Sequence, residues 1–191
     1  EEFRRRGHEV NTFGCAGPEG PSDRPAFVDY RGSRNVRDWF RLVHNPGAAR
    51  MLEQYLQAHP VDVAHLHNIY HHLTASILPV LARRGVGVVM TVHDYRQIGM
   101  EKLFWRWNLD DPHGGEDDAF WIEAHKRCTG LGGVALRARW WIERFTRCYF
   151  RWVDVFLCPS CFMTRRLRQS GAPRGKIVYS PVPFALPESQ S

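Results

Sequence analysis

Side chains that donate, accept or transfer protons follow three apolar runs of this sequence, each at the point where the run ends. They are, in chain order, His65, His67 and Asn68, then His93 and Asp94, and finally Ser160. An imidazole can donate or accept a hydrogen bond near neutral pH, and amide, carboxylate and hydroxyl groups bind polar ligands. One such residue alone is typical of a strand end that caps a helix or bonds a loop amide. Their coincidence at three successive strand ends favours a ligand site.

The segments that must position these groups alternate between strand and helix patterns. We predict a helix end before Gly7, and strands at residues 8–14, 61–66, 86–92, 153–157 and 176–179. We predict helices at residues 36–43, 48–58, 73–84, 134–152 and 160–170. This order predicts right-handed βαβ units and an α/β fold with an open parallel sheet, helices on both faces and residues 86–92 at its centre. Ligands of such sheets bind beyond the carboxyl ends of the strands.

Length and composition limit the classes of protein. At 191 residues with 43% hydrophobic and 24% charged residues, the chain fits one folded domain. Its longest uncharged, mostly apolar run, residues 86–93, is far shorter than the roughly 20 residues that a membrane-spanning helix needs. Five cysteines, an odd count at irregular spacing, favour reduced thiols and a cytoplasmic location. The start, without Met or a signal-peptide pattern, is interpreted as a truncation.

Several short motifs in register resemble the family 4 glycosyltransferases over nearly the whole chain. The matching stretches are Arg5-Arg6-Gly7-His8-Glu9-Val10, Asp62-Val63-Ala64-His65-Leu66-His67-Asn68, Thr91-Val92-His93-Asp94-Tyr95, Pro159-Ser160-Cys161-Phe162 with Gly171, and Lys176-Ile177-Val178. The resemblance implies a Rossmann-like domain, the N-terminal half of a GT-B fold whose first strand is missing here. Residues 1–180 would form this acceptor-side domain, and the Pro/Ser-rich residues 181–191 would lead to a C-terminal donor-binding domain.

The resemblance also implies an activity: retaining transfer of a sugar from a nucleotide-sugar donor to a glycan or lipid-linked acceptor, without a cofactor or metal ion. His93 would face the donor sugar, and Asp94 would orient His93 or bind an acceptor hydroxyl. His67 and Asn68 would line the acceptor side of the cleft. Further substrate contacts are expected from His65, Tyr95 and Ser160. Because the groups that grip the donor diphosphate belong to the absent C-terminal domain, we expect this fragment alone to be inactive.

Two positions depart from the pattern of the family. Gly99-Met100 stands where relatives often carry Cys-Pro, and Ser180-Pro181 replaces the more usual Asn-Pro. Both departures concern the subfamily and not the fold.

The helix predicted at residues 134–152 carries two adjacent stripes. Trp140, Arg144, Arg147 and Arg151 share one side, whereas Trp141, Phe145, Cys148 and Trp152 share the next. This pattern suits an anionic membrane surface at the inner face of the membrane, and a lipid-linked acceptor. The favoured interpretation is plainer: the aromatic stripe packs on the sheet and the arginines lie in solvent.

Three alternatives remain open. A net charge of +6 and a pI near 9.3 suit a non-enzymatic module that binds nucleic acid or a membrane, although no signature of specific nucleic-acid binding is present. A nucleotide-sugar epimerase of GT-B type is the second. The third is a zinc site formed by Cys158, Cys161, Cys128 and Cys148. The favoured interpretation is that Cys158 ends a buried strand and that Cys161 packs as a small apolar residue. The acidic residues 110–118 are expected to form a mobile loop, a lid over the acceptor, rather than a metal site.

Overall fold

The structure is a computed structural model that describes residues 2–15, 25, 35–70, 72–93 and 130–181, without the side chains of residues 36, 130–132, 136, 140 and 144. The predicted residues Asp94, Tyr95, Cys128 and the acidic segment 110–118 lie outside the described residues. The described helices are α1 (Glu2–Arg5), α2 (Val36–Val43), α3 (Pro46–Ala58), α4 (Leu78–Arg83), α5 (Gly130–Thr146), α6 (Cys148–Trp152) and α7 (Cys161–Gln169). The strands are β1 (Val63–Leu66), β2 (Gly87–Thr91), β3 (Val155–Cys158) and β4 (Ile177–Tyr179), with short 3-10 helices at Ala75–Ile77 and Arg174–Lys176.

The four strands form one parallel sheet in the order β1-β2-β3-β4. Strand β2 pairs with β1 and β3, so that Met90 lies opposite both Leu66 and Phe156. Each next strand is added on the same side, as successive βαβ units require. The predicted α/β class, with an open parallel sheet and helices around it, is confirmed.

The core lies on the sheet face formed by alternate residues of the two inner strands. Val88, Met90, Phe156 and Cys158 are each at most 1% exposed. Helices α4, α6 and α7 supply the facing apolar side chains to the same cluster, among them Leu81, Val80, Tyr149 and Leu167. Burial of this face fixes the register, because a slip by one residue would turn the apolar set away from the helices.

Sequence signals locate most helix ends correctly. Asn45 caps α3 by accepting a hydrogen bond from Ala48 N at 3.1 Å, and Ser160 caps α7 by accepting one from Met163 N at 3.1 Å. Gly85 and Gly171 end α4 and α7 with φ of +69° and +86°, a backbone region that favours glycine. The Asn-Pro and Gly signals therefore act as predicted.

Three predicted elements were wrong in part. Residues 8–14 form no strand, since no described strand of the sheet pairs with them and an unpaired strand leaves its backbone groups unbonded. The helix predicted at residues 134–152 is divided at Arg147, whose φ of 48° is left-handed. The helix predicted from residue 73 begins only after Thr74, because the Thr74 hydroxyl accepts from Ser76 N and its φ of 58° is not helical.

Asn45 joins α3 to the chain segment that follows β1. Its amide nitrogen Nδ2 donates to His72 O at 2.6 Å, and its backbone N–H donates to the Thr74 hydroxyl at 3.3 Å. We expect Asn45→Ala to lower the free energy of unfolding by about 2–3 kcal/mol, because it removes a cap and takes its donor from the part-buried His72 carbonyl. Urea denaturation measures this loss.

Asn35→Ala is the matched control, since Asn35 caps α2 at an exposed position by accepting from Arg37 N at 3.0 Å. Its expected cost is about 0.5–1 kcal/mol. Equal costs for the two variants would show that Asn45 acts only as a helix cap.

Candidate functional site

The parallel pairing of β1 and β2 brings two sets of polar residues to one edge of the sheet. Val63 lies opposite Gly87, and Leu66 lies opposite Met90. Both strands run in the same direction, so His67 after β1 and His93 after β2 emerge at the same edge. The structure therefore joins two of the three predicted polar groups.

The two imidazoles are in direct contact. His67 Nδ1 lies 2.7 Å from His93 Nε2, and the ring centroids are 5.1 Å apart with 36° between the planes. A hydrogen bond between two imidazole nitrogens needs one proton and one lone pair, so at least one of the two rings is neutral. With Nε2 engaged, Nδ1 is the His93 nitrogen that remains for a ligand.

His65 extends the contact into a row of three imidazoles. Its ring centroid lies 4.2 Å from that of His67, and its Nε2 lies 2.7 Å from the hydroxyl oxygen of Thr91. Residues two apart on a strand share a face, which is why His65 and Thr91 meet across the β1–β2 pair. Thr91 was not among the predicted site residues. It is recognisable only once the register is known.

The environment favours the neutral form of His65 and His67. Partial burial lowers the pKa of His65, and the nearby His93 lowers it further. Burial likewise lowers the pKa of His67, and His65 and His93 add to the effect because like charges repel. At neutral pH His65 and His67 therefore present uncharged donors and acceptors, which suit hydroxyl groups better than a phosphate.

A buried arginine supports the loop that carries His67 and Asn68. Arg139 of α5 is 3% exposed, and its guanidinium donates to the backbone carbonyls of Tyr70 and, at 3.2 Å, Leu42. Burial opposes its charge, but the Glu143 carboxylate, 2.7 Å from Arg139 Nε, outweighs this and raises the pKa of Arg139. Arg139 therefore stays charged, and its hydrogen bond to the Tyr70 carbonyl holds the loop in place.

The loop itself has unusual backbone at both ends. Asn68 has a φ of 46° and Thr74 a φ of 58°, in the region that non-glycine residues rarely adopt. Thr74 is fully buried, and Asn45 bonds both to it and to the carbonyl of His72. Such strained residues persist only where their surroundings hold them. Sequence reasoning missed Arg139 and Thr74 and took Asn45 only as a helix boundary.

The other predicted residues are placed differently. Ser160 lies after β3, where its hydroxyl oxygen caps α7. Arg147 and Arg151 are exposed at the junction of α5 and α6, whereas the side chains of Trp140 and Arg144 are outside the description. Trp141 and Phe145 are 43% and 77% exposed, so the interpretation that the whole aromatic stripe packs on the sheet was wrong for them. It holds for Cys148 and Trp152, which pack against the core.

The cysteines behave in two ways. Cys158 is fully buried in β3, as predicted, and burial raises the pKa of its thiol. Cys161 is exposed, so the expectation that it packs was wrong; it opens α7 directly after the Ser160 cap and faces solvent. Within the described ranges, no group of three or more His, Cys, Asp and Glu side chains has the arrangement of a metal site.

The parallel sheet and the polar site at its carboxyl edge define the class: an α/β domain of the type that binds ligands beyond its strand ends. The sequence matches the model of Glycosyltransferase Family 4 over residues 1–183. The chain therefore belongs to this family and forms an N-terminal domain of a family 4 glycosyltransferase. Neither the curated proteins nor the solved structures provided a match. None of the helices in the described part of the chain has the length and hydrophobicity to cross a membrane.

The lowered pKa values predict how the histidines titrate. We expect His65 and His67 to protonate below pH 6.5, the ordinary value for histidine, when their ring C–H signals are followed by NMR. In the unfolded chain both should titrate near about 6.5. Because the unfolded state then binds more protons as the pH falls through this range, these groups lower the stability of the fold on acidification. Titration of both rings above pH 6.5 would contradict the assignment.

Removing the buried cation should be costly. We expect Arg139→Met to lower the free energy of unfolding by about 3–5 kcal/mol, because it leaves the Glu143 carboxylate and two carbonyls without their donor. Denaturation of Arg139→Met with Glu143→Leu should recover part of this loss. Arg137→Met, on the same helix but half-buried, is the control and should cost less than about 1 kcal/mol.

Proposed function

We propose that this chain is the acceptor-side domain of an enzyme that transfers a sugar, with retention, from a nucleotide-sugar donor to a glycan or lipid-linked acceptor. Membership of the family supports sugar transfer in general. The observation that carries the site assignment is the 2.7 Å contact of His67 with His93 at the carboxyl edge of the sheet. Asp94 and Tyr95 follow His93 directly in the sequence and belong to the same proposed site.

His93 is the residue that we assign to the donor sugar. Its Nε2 is held by His67, so its Nδ1 is directed to a sugar hydroxyl. If His67 donates the shared proton, His93 carries its own proton on Nδ1 and is a donor to the sugar; if His93 donates, Nδ1 is an acceptor. His67 thus sets the tautomer of His93 and acts as a positioning residue.

The chemistry of sugar transfer indicates which groups must bind the donor phosphate. Sugar transfer develops positive charge at the anomeric carbon while a phosphate departs, and the departing phosphate needs cations or helix N-termini. The uncharged rings of His65 and His67 are suited to sugar and acceptor hydroxyls and not to the diphosphate. We therefore assign donor-diphosphate binding to a second domain and expect the isolated chain to be inactive, with His65, Asn68 and Ser160 on the acceptor side. The proposed reaction uses no metal ion.

The proposed location is the cytoplasm, at the inner face of the membrane. The four described cysteines, Cys15, Cys148, Cys158 and Cys161, are free thiols, which fits a reducing compartment.

The enzyme that contains this chain tests the proposal. Incubated with a panel of nucleotide sugars and acceptors, it should release the nucleoside diphosphate and form a product with the anomeric configuration of the donor, measured by NMR. Conversion of the nucleotide sugar into its epimer without transfer would show an epimerase and overturn the proposal.

Variants of the imidazole pair test the site itself. We expect His93→Ala to reduce kcat/KM by about a hundredfold or more, the size of effect seen for positioned proton donors and acceptors. His67→Ala should also lose activity, whereas His67→Asn should restore most of it, since the Asn amide can occupy the position of Nδ1.

The pH profile separates positioning from a structural role. Wild-type activity should change on acidification as His67 protonates, because a protonated His67 can only donate to His93 Nε2 and then fixes the His93 proton on Nδ1. His67→Asn should weaken this pH dependence. Circular dichroism confirms that each variant folds; a folded His93→Ala variant with full activity would refute the role of His93.

A further inference from the structure

Among the described side chains of α5, an ion pair faces the protein and apolar residues face solvent. The face that packs on the protein carries the ion pair of Arg139 and Glu143, with side chains 4% and 15% exposed. The opposite face carries the outer stripe, defined here as Val134, Ala138, Trp141, Ile142 and Phe145. These positions recur every three or four residues and therefore share one side of the helix. A soluble surface helix normally turns its apolar stripe towards the core.

The exposure of the outer stripe is large. Val134, Trp141, Ile142 and Phe145 are 53%, 43%, 51% and 77% exposed, and the rings of Trp141 and Phe145 stack at 5.3 Å between centroids. Single exposed apolar residues are ordinary, whereas a contiguous stripe marks a surface that another apolar phase or protein covers.

The charge around the stripe identifies the partner. Residues 36–43 and 130–152, which contain α2, α5 and α6, hold seven arginines and only two acidic residues, Asp38 and Glu143. They therefore carry five of the six net positive charges of the chain. Glu143 is already bound to Arg139. Arg137 borders the stripe, because it follows Val134 by three positions and precedes Trp141 by four.

We propose that the outer stripe of α5 is a docking surface for an anionic lipid membrane. Trp and Phe insert at the boundary of headgroups and acyl chains while neighbouring arginines bind anionic headgroups. A second copy of this chain would bring the same positive charge against this surface, so self-association is disfavoured. Nucleic acid would satisfy the arginines but could stack only on rings, leaving Val134 and Ile142 unused.

The inner side of α5 connects this surface to the site. Arg139 donates to the Tyr70 carbonyl in the loop that begins with His67 and Asn68. A membrane under the outer stripe would lie about one helix diameter, roughly 10 Å, from that loop. A lipid-linked acceptor is the class of acceptor that this arrangement serves, and this last step rests on the function proposed above.

Vesicle binding by the chain tests the surface without any sugar donor. We expect it to sediment with vesicles of phosphatidylcholine and phosphatidylglycerol in equal parts, and not with phosphatidylcholine alone. Binding should weaken as the salt rises from 0.1 M to 1 M, because the screening length falls from about 10 Å to about 3 Å. Phe145→Ser with Ile142→Ser should reduce vesicle binding at least tenfold.

Phe162→Ser is the matched control, since Phe162 is 41% exposed on α7, outside the stripe. It should bind vesicles like the unaltered chain. Thermal unfolding of the stripe variant should be unchanged, because the substituted side chains face solvent. A clear fall in its Tm would show that the stripe packs against another part of the same chain and would overturn the proposal.

Three further outcomes would overturn it. They are absence of binding to anionic vesicles, binding that the stripe variant retains in full, and a dimer in light scattering that the stripe variant abolishes. Tight oligonucleotide binding that the stripe variant loses, with no vesicle binding, would assign the surface to nucleic acid. The vesicle assay contains no sugar donor, so vesicle binding is measured independently of sugar transfer. The test of the docking surface therefore does not depend on whether the acceptor is a lipid or a soluble glycan.

Discussion

The parallel pairing of β1 with β2 is the constraint on which the site depends. Backbone hydrogen bonds place Leu66 opposite Met90, and this register alone brings His67 to within 2.7 Å of His93, although 26 residues separate them in the chain. The same register pairs His65 with Thr91. A shift by one residue would turn these side chains to the other face and expose Val88 and Met90. Burial of the core and assembly of the site therefore require the same register.

Two buried polar residues then hold what the sheet has placed. Arg139 and Asn45 bond to the carbonyls of Tyr70 and His72 in the loop after β1, whose ends have left-handed backbone. A buried charge is expensive unless it is paired and fully hydrogen-bonded, and Glu143 supplies the pairing. This set of buried polar contacts is not an extension of the apolar core. It supports the loop next to the imidazole row through the carbonyls of Tyr70 and His72.

Helix α5 combines two different faces. Its inner side brings the Arg139 guanidinium to loop carbonyls, and its outer side carries the exposed side chains of Val134, Trp141, Ile142 and Phe145. Residues 36–43 and 130–152, which contain α2, α5 and α6, hold seven arginines and two acidic residues. The proposed docking surface and the buried cation that supports the loop therefore lie on opposite faces of one helix.

The sequence by itself determined the α/β class, the strand and helix order, most helix ends and the polar residues after β1, β2 and β3. Periodicity, Gly and Asn-Pro signals are local, so they are readable without a fold. Only the tertiary structure decided that residues 8–14 form no strand, that Arg147 divides a helix, that Arg139 is buried while Phe145 is exposed, and that Thr91 meets His65. These outcomes depend on contacts between distant segments, and an arginine or phenylalanine on a helical pattern has the same local signal on either face.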